Sequence, residues 1–354
     1  MLFTKSSAFI GLLAGLATAL PAFPTPPAPR HAALETRLSN SSGSGQTVVY
    51  WGQNGGGTVE NNDLSSYCAS DSGIDVLVLA FLYEFGNGND IPTGTIGQSC
   101  SITQGSAQNC DALSAAITTC QAAGVKIILS LGGASGSYTL SSDDEASSIG
   151  TYLWQAYGNG GKNTTGVTRP LGSAFVNGFD FDIEVASGQD YYASMISTLR
   201  TSFADDSANT YYITGAPQCP IPEPNMGIQN AQFDYLWPQF YNNNNYTYPC
   251  ALPINGNAPF NYDQWVNFTS GTPSSNAQLF VGVPASEDAA NGTPAGATYY
   301  ATPSQLSDIV SEYSSHDRFA GIMMWSAGFS DANVVNGCTY AQNVHSILSS
   351  GSPC

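Results

Sequence analysis

The sequence is poor in positive charge. Of its 354 residues only 8 are Lys or Arg and 3 are His, against 26 Asp and Glu, for a formal net charge of −18. A polyanion would be repelled by such a chain, so nucleic acid and anionic membrane surfaces are excluded as partners. No C-x-x-C occurs and the three histidines are scattered, which argues against a zinc site; no metal and no cofactor is expected. Long apolar runs are also scarce. The longest, "AFIGLLAGLATAL" near the N-terminus, is too short to span a bilayer comfortably. The C-terminal "SSGSPC" has no hydrophobic tail for a lipid anchor.

That N-terminal run follows Lys5 and ends among small residues, Ala17 and Ala19, which is the pattern of a secretory signal. Residues 1–22 are therefore expected to be a signal peptide. The next stretch is rich in Pro, then in Ser and Gly, without periodicity, so residues 23–46 read as a propeptide or disordered linker. The folded part is expected over 47–354. Eight cysteines, Cys68, Cys100, Cys110, Cys120, Cys219, Cys250, Cys338 and Cys354, suggest four disulfides in a secreted chain, and spacing alone leaves about 105 pairings. Sequons for N-glycosylation stand at Asn40, Asn163, Asn245, Asn267 and Asn291. A secreted, extracellular protein is expected, with association to a cell wall left open.

From Val48 onward, β-branched and aromatic runs of strand length are bounded by Gly, Pro and Asn. They are "VVYWG", "IDVLVLAFL", "VKIILSLGG", "VNGFDFDIE", "TYYITGAP", "FDYLWPQFY", "QLFVGVP" and "AGIMMWS". Helical patterns lie between several of them: 110–124, closed by Gly124, then 188–203, then 302–315 with Pro303 in the first turn. Near-continuous apolar strands alternating with helices predict an α/β fold with a parallel sheet covered on both sides. Eight units suggest a (β/α)8 TIM barrel forming one catalytic domain. A doubly wound open sheet is the alternative, but "WGQNGGG" is a poor match to the glycine fingerprint that fold would carry.

The fourth run holds Asp180, Asp182 and Glu184, two residues apart, with Phe179, Phe181 and Ile183 between. In a strand, alternate side chains share a face. The acids therefore point one way, into a barrel, and the apolar set packs under the helices. Each two-residue step climbs roughly 6.5 Å, which carries Glu184 to the C-terminal rim where barrel active sites sit. Three ionised acids on one buried face would be very costly. Sharing protons relieves that cost and raises some of the pKa values, as a general acid requires. A calcium loop would place small polar residues and a turn glycine between the acids, not Phe and Ile.

"NGFDFDIE" resembles the D-x-x-D-x-D-x-E signature of glycoside hydrolase family 18, the chitinases. "YWGQN", "AFLYEFGNG", "LSLGGASGSYTL", "APQCP", "QFYNN" and "MMWS" are similar, in order, to segments of the class III, hevamine-like members. The resemblance implies a (β/α)8 barrel and a substrate-assisted retaining mechanism, an exception to the usual two-carboxylate scheme. It implies Glu184 as general acid, Asp182 as orienter of the substrate N-acetyl group, Asp180 sharing a proton with Asp182, and Tyr241 as hydrogen-bond partner of the acetamido carbonyl. Gln239 would help hold the sugar, Trp325 would floor the subsite, and Tyr50 and Phe81 would line the barrel mouth. It further implies the disulfides Cys68–Cys120, Cys100–Cys110 and Cys219–Cys250, leaving Cys338 and Cys354 to pair, and cis peptides at Ala80–Phe81 and Trp325–Ser326.

The implied activity is a secreted endo-chitinase, a monomer acting on chitin or chito-oligosaccharides. A non-catalytic sugar-binding or inhibitor protein on the same barrel, and an endo-N-acetylglucosaminidase acting on glycoprotein glycans, are the alternatives. Two positions depart from the family pattern. Asn177 replaces the first Asp of the signature, from which a shifted acid limb of the pH profile is expected. Pro238 interrupts the sixth strand, where a bulge or break before Gln239 is expected.

Overall fold

Gln46 to Trp51 form the first strand, and seven more parallel strands follow it around a closed ring. The computed structural model describes residues 45–53, 60–164, 166–243, 250–254, 260–291 and 298–354. The segments expected as signal peptide and propeptide lie almost wholly outside the described residues, as do Asn40, Asn245 and the side chain of Asn163. Asn267 and Asn291 are described and exposed.

In chain order the strands are β1 (Gln46–Trp51), β2 (Val76–Gly86), β3 (Asn89–Ile96), β4 (Cys100–Thr103), β5 (Ser106–Gln108), β6 (Lys126–Gly132), β7 (Ser137–Tyr138), β8 (Gly178–Asp182), β9 (Tyr212–Gly215), β10 (Tyr235–Leu236), β11 (Gln278–Pro284) and β12 (Phe319–Trp325). The α-helices are α1 (Asp111–Ala122), α2 (Asp143–Tyr157), α3 (Tyr192–Phe203), α4 (Tyr262–Ser270), α5 (Pro303–Tyr313), α6 (Ala327–Ala332) and α7 (Tyr340–Ser350). The parallel ring runs β1, β2, β6, β8, β9, β10, β11, β12, and β12 pairs back to β1. This is the eight-stranded (β/α)8 barrel.

The alternation of side chains divides the core in two. Val49, Leu77, Leu79, Ile127, Leu129, Phe179 and Phe181 pack outward under the helices. Val48, Tyr50, Val76, Val78, Ala80, Ile128, Trp237 and Met323 fill the interior. The register aligns Ile128 with Gly178 and Ser130 with Asp180 across β6 and β8, which puts the polar inward positions side by side.

The strand–helix pattern of the sequence passes over several elements. The hairpins β3–β4–β5 extend the sheet beyond β2 by antiparallel pairing. Helix α2 is capped by Ser142, whose side chain accepts from Glu145 N, and α7 carries a Thr339–Gln342 capping box. The sixth strand is shorter than "FDYLWPQFY" suggests. Only Tyr235 and Leu236 are ladder residues, because Pro238 has no N–H to donate; pairing resumes as bridges from Gln239 to Gln218 and Gly282. The disulfides join Cys68 to Cys120, Cys100 to Cys110, Cys219 to Cys250 and Cys338 to Cys354. Ala80–Phe81 and Trp325–Ser326 are cis. Among the described residues no helix is long and apolar enough to cross a membrane.

Candidate active site

Strand β8 carries its acids up the inside of the barrel. Asp180 is fully buried, Asp182 is 4% exposed, and Glu184, two residues past the strand end, is half-buried at the rim. The three meet different surroundings, and those surroundings separate their chemistry.

Asp180 sits in a ring of hydroxyls from three other strands. Its Oδ2 accepts from Tyr50 at 2.7 Å and from Ser130 at 2.6 Å; its Oδ1 accepts from Thr214 at 2.7 Å. Burial pushes its pKa up, and the three donors pull it back. The charge of Asp180 is one of the causes that raise the pKa of Asp182, so the two acids are electrostatically linked.

Among the described residues Asp182 has one donor, the Gln239 amide, at 2.8 Å. Burial, then the charges of Glu184 and Asp180, push its pKa well above the ordinary carboxylate range. Among three crowded acids, this is the one with least support for a negative charge. Glu184 is also raised by burial, while amide donors from Gln239 (3.4 Å) and Gln218 (3.1 Å) work the other way. A carboxyl at the rim whose pKa is lifted by partial desolvation is suited to donate a proton.

The loop after β10 supplies the remaining polar partners. Gln239 is 5% exposed, and besides the two acids it donates to Ala216 O at 3.1 Å. Its backbone is fixed by donation to Pro217 O at 2.8 Å. Tyr241 is also 5% exposed; burial, Asp182 and Glu184 keep its phenol protonated, hence a neutral donor beside the two acids. The Pro238 break therefore does not turn Gln239 and Tyr241 away from the carboxylates.

An aromatic wall faces them. Phe81 stacks on Trp325 with ring centres 5.8 Å apart and planes at 15°. Trp325 remains partly exposed at the end of β12. Tyr50 does not line the mouth. It is 2% exposed, donates to Asp180 and accepts from Trp237 Nε1 at 2.9 Å, which places it in the layer beneath. Its hydroxyl is committed to Asp180 and Trp237.

Asn177 lies at the opposite end of β8. Its Oδ1 accepts from Ile127 N at 2.9 Å and from Gln121 Nε2 at 2.9 Å, which ties the foot of β8 to β6 and α1. Seven residues separate it from Glu184, about 23 Å along an extended chain. That spacing argues against an influence of Asn177 on the acid limb.

Sequence reasoning passed over Ser130, Thr214, Gln218, Tyr138 and Trp237. A signal existed for the first two: each is a polar residue at an inward-facing position of a largely apolar strand. Gln218 and Trp237 carry no local mark, because their partners lie on other strands.

The family model described as glycosyl hydrolases family 18 matches residues 46–305. The chain is 68% identical over 313 residues to Endochitinase 2 of Metarhizium robertsii, an alignment covering 87% of this chain and 74% of that protein. Among solved structures, a chitinase from Ipomoea carnea superposes with a TM-score of 0.68 at 31% identity, covering 85% of this chain and 99% of that one. The xylanase and α-amylase inhibitor protein of Scadoxus multiflorus superposes with a TM-score of 0.66 at 28% identity, covering 86% and 98%.

Proposed function

The chain belongs to glycosyl hydrolase family 18, and on that footing we propose that it is an endo-acting chitinase cutting β-1,4-linked N-acetylglucosamine chains by a substrate-assisted retaining mechanism. The observation that carries the reading is Glu184: a rim carboxyl with a raised pKa, next to a second acid, an amide and a neutral phenol aimed at the same space. Such a set needs a nucleophile, and an N-acetyl sugar brings its own.

In the first step the acetamido carbonyl oxygen attacks the anomeric carbon as the glycosidic C–O bond breaks. Glu184 gives its proton to the departing oxygen. Asp182 accepts from the acetamido N–H and so orients the oxazolinium ion as it forms, while Tyr241 donates to the attacking carbonyl and holds it in line. Gln239 keeps both acids in place and Trp325 offers its indole face to the sugar. In the second step Glu184, now ionised, takes a proton from water, the water oxygen bonds to the anomeric carbon, and the oxazolinium ring opens at its bond to that carbon, restoring the acetamido group. Asp180 takes no part in bond making; its hydroxyl ring holds charge below Asp182.

Chito-oligosaccharide is the substrate class, and the protein acts as a monomer. Four disulfides support an oxidising compartment and hence secretion. The likeness to an inhibitor protein makes a non-catalytic role the competing reading, and the presence of Glu184, Asp182 and Tyr241 together favours the enzyme. The test is hydrolysis of colloidal chitin and of chito-oligosaccharides, beside release of glycans from a glycoprotein, for the parent and for Glu184→Gln. The expected result is chitin cleavage alone, reduced about 10²–10⁴-fold in the variant. Activity restricted to the glycoprotein, or equal activity of the two proteins, overturns the reading.

A further inference from the structure

Beyond its last ladder residue, Asp182, β8 no longer has a strand to fix it, yet Glu184 must be aimed. Its backbone N–H donates to the hydroxyl of Tyr138 at 2.9 Å. That hydroxyl in turn donates to Gly133 O at 3.0 Å, and Gly133 N donates to Asp182 O at 2.7 Å. The links form a closed chain from Asp182 through Gly133 and Tyr138 to Glu184. One residue on, Thr139 Oγ1 and Ser187 Oγ lie 2.7 Å apart. Next to it, a Cβ placed on Gly188 would stand 2.4 Å from Leu140 N, so the two backbones touch. Residues 138–140 thus grip the segment 184–188 at three successive points.

The grip is itself anchored. Residues Ser137 and Tyr138 pair in parallel with Glu84 and Phe85 of β2, and Thr139 N donates to Phe85 O at 3.2 Å. The Tyr138 ring stacks on Phe85 with centres 5.2 Å apart and planes at 11°, and the side chain is 5% exposed. A buried aromatic stacked on Phe85 sets its hydroxyl more tightly than a flexible side chain could.

We propose that Tyr138 is a positioning residue for the general acid, and that the 138–140 strap fixes the height of Glu184 at the barrel mouth. The proposal rests on the assignment of Glu184 given above. Displacing the acid weakens proton delivery to the leaving oxygen while the sugar contacts of Tyr241 and Trp325 stay.

Leaving-group dependence separates this from a merely structural role. A nitrophenolate departs with little proton assistance, whereas a sugar alkoxide requires it. Tyr138→Phe keeps the ring and removes the hydroxyl. Its kcat/KM on chitotetraose is expected to fall about tenfold or more, with KM within about twofold and with a much smaller fall on 4-nitrophenyl chitobioside. Ser187→Ala, which removes the second tack, is expected to change in the same direction by less, and it keeps the question answerable if Tyr138→Phe fails to fold. Equal losses on the two substrates, or no loss, overturn the proposal. Glu184→Gln is run beside them: if it matches the parent, the assignment of the acid fails; if it is inactive while Tyr138→Phe and Ser187→Ala behave as the parent, only the positioning role fails.

Discussion

One amide serves two acids: Gln239 Nε2 donates to Asp182 Oδ1 at 2.8 Å and reaches Glu184 Oε1 at 3.4 Å. Both carboxyls are thereby pulled down from the level to which burial lifts them. Gln239→Met removes the donor at nearly constant volume. The pKa values of both acids then rise, Glu184 stays protonated to higher pH, and the basic limb of the kcat/KM profile moves up. The rate at the optimum falls about tenfold, the cost of one hydrogen bond to a charged group. A pH–rate profile on chito-oligosaccharide checks this, and a basic limb that stays still or moves down contradicts it.

Asn177 gives a prediction of the opposite kind. Its carbonyl oxygen accepts two hydrogen bonds at the foot of the barrel. A carboxylate accepts the same two, so Asn177→Asp leaves both limbs of the pH–activity profile where they are. Asn177→Ala strands two donors and costs about 1–3 kcal/mol of stability in urea unfolding, with kcat unchanged. A moved acid limb in Asn177→Asp would reinstate long-range coupling along β8.

Glu60 provides a pH prediction for the fold. It is 1% exposed, accepts from Gly52 N at 2.6 Å, and burial raises its pKa to about 8. Folded protein keeps a proton that the unfolded chain releases once pH passes the ordinary carboxyl range. The stability contribution is therefore complete below about pH 4.5 and is lost as pH rises through about 8. Asp180, Asp182 and Glu184 act with the same sign. Denaturant unfolding at pH 5 and at pH 9 should show the parent losing stability with rising pH, and Glu60→Gln losing less, by on the order of a few kcal/mol. The same slope in both proteins would remove Glu60 from the account.

Much of this site could be read along the chain. Period-two spacing put Asp180, Asp182 and Glu184 on one face, and the strand–helix alternation made that face the inside of a barrel. Those inferences need only local geometry, because strand and helix periods are properties of the backbone. Elsewhere local signals ran out. The polar hairpins of β3 to β5 lack a continuous apolar run, and Pro238 shortened a strand whose side chains nevertheless kept their aim.

What the tertiary structure alone decided is the division of labour among the acids. Asp180 gathers hydroxyls from residues 130, 50 and 34 positions away in sequence. Asp182 receives one amide from 57 positions away. Glu184 is held by Tyr138, on a strap reached through β2. Neighbouring strands of a barrel come from distant parts of the chain, and their register fixes which side chains meet. Sequence spacing could therefore align three similar carboxylates, but only closure of the barrel could give them different partners, and with those partners different proton affinities.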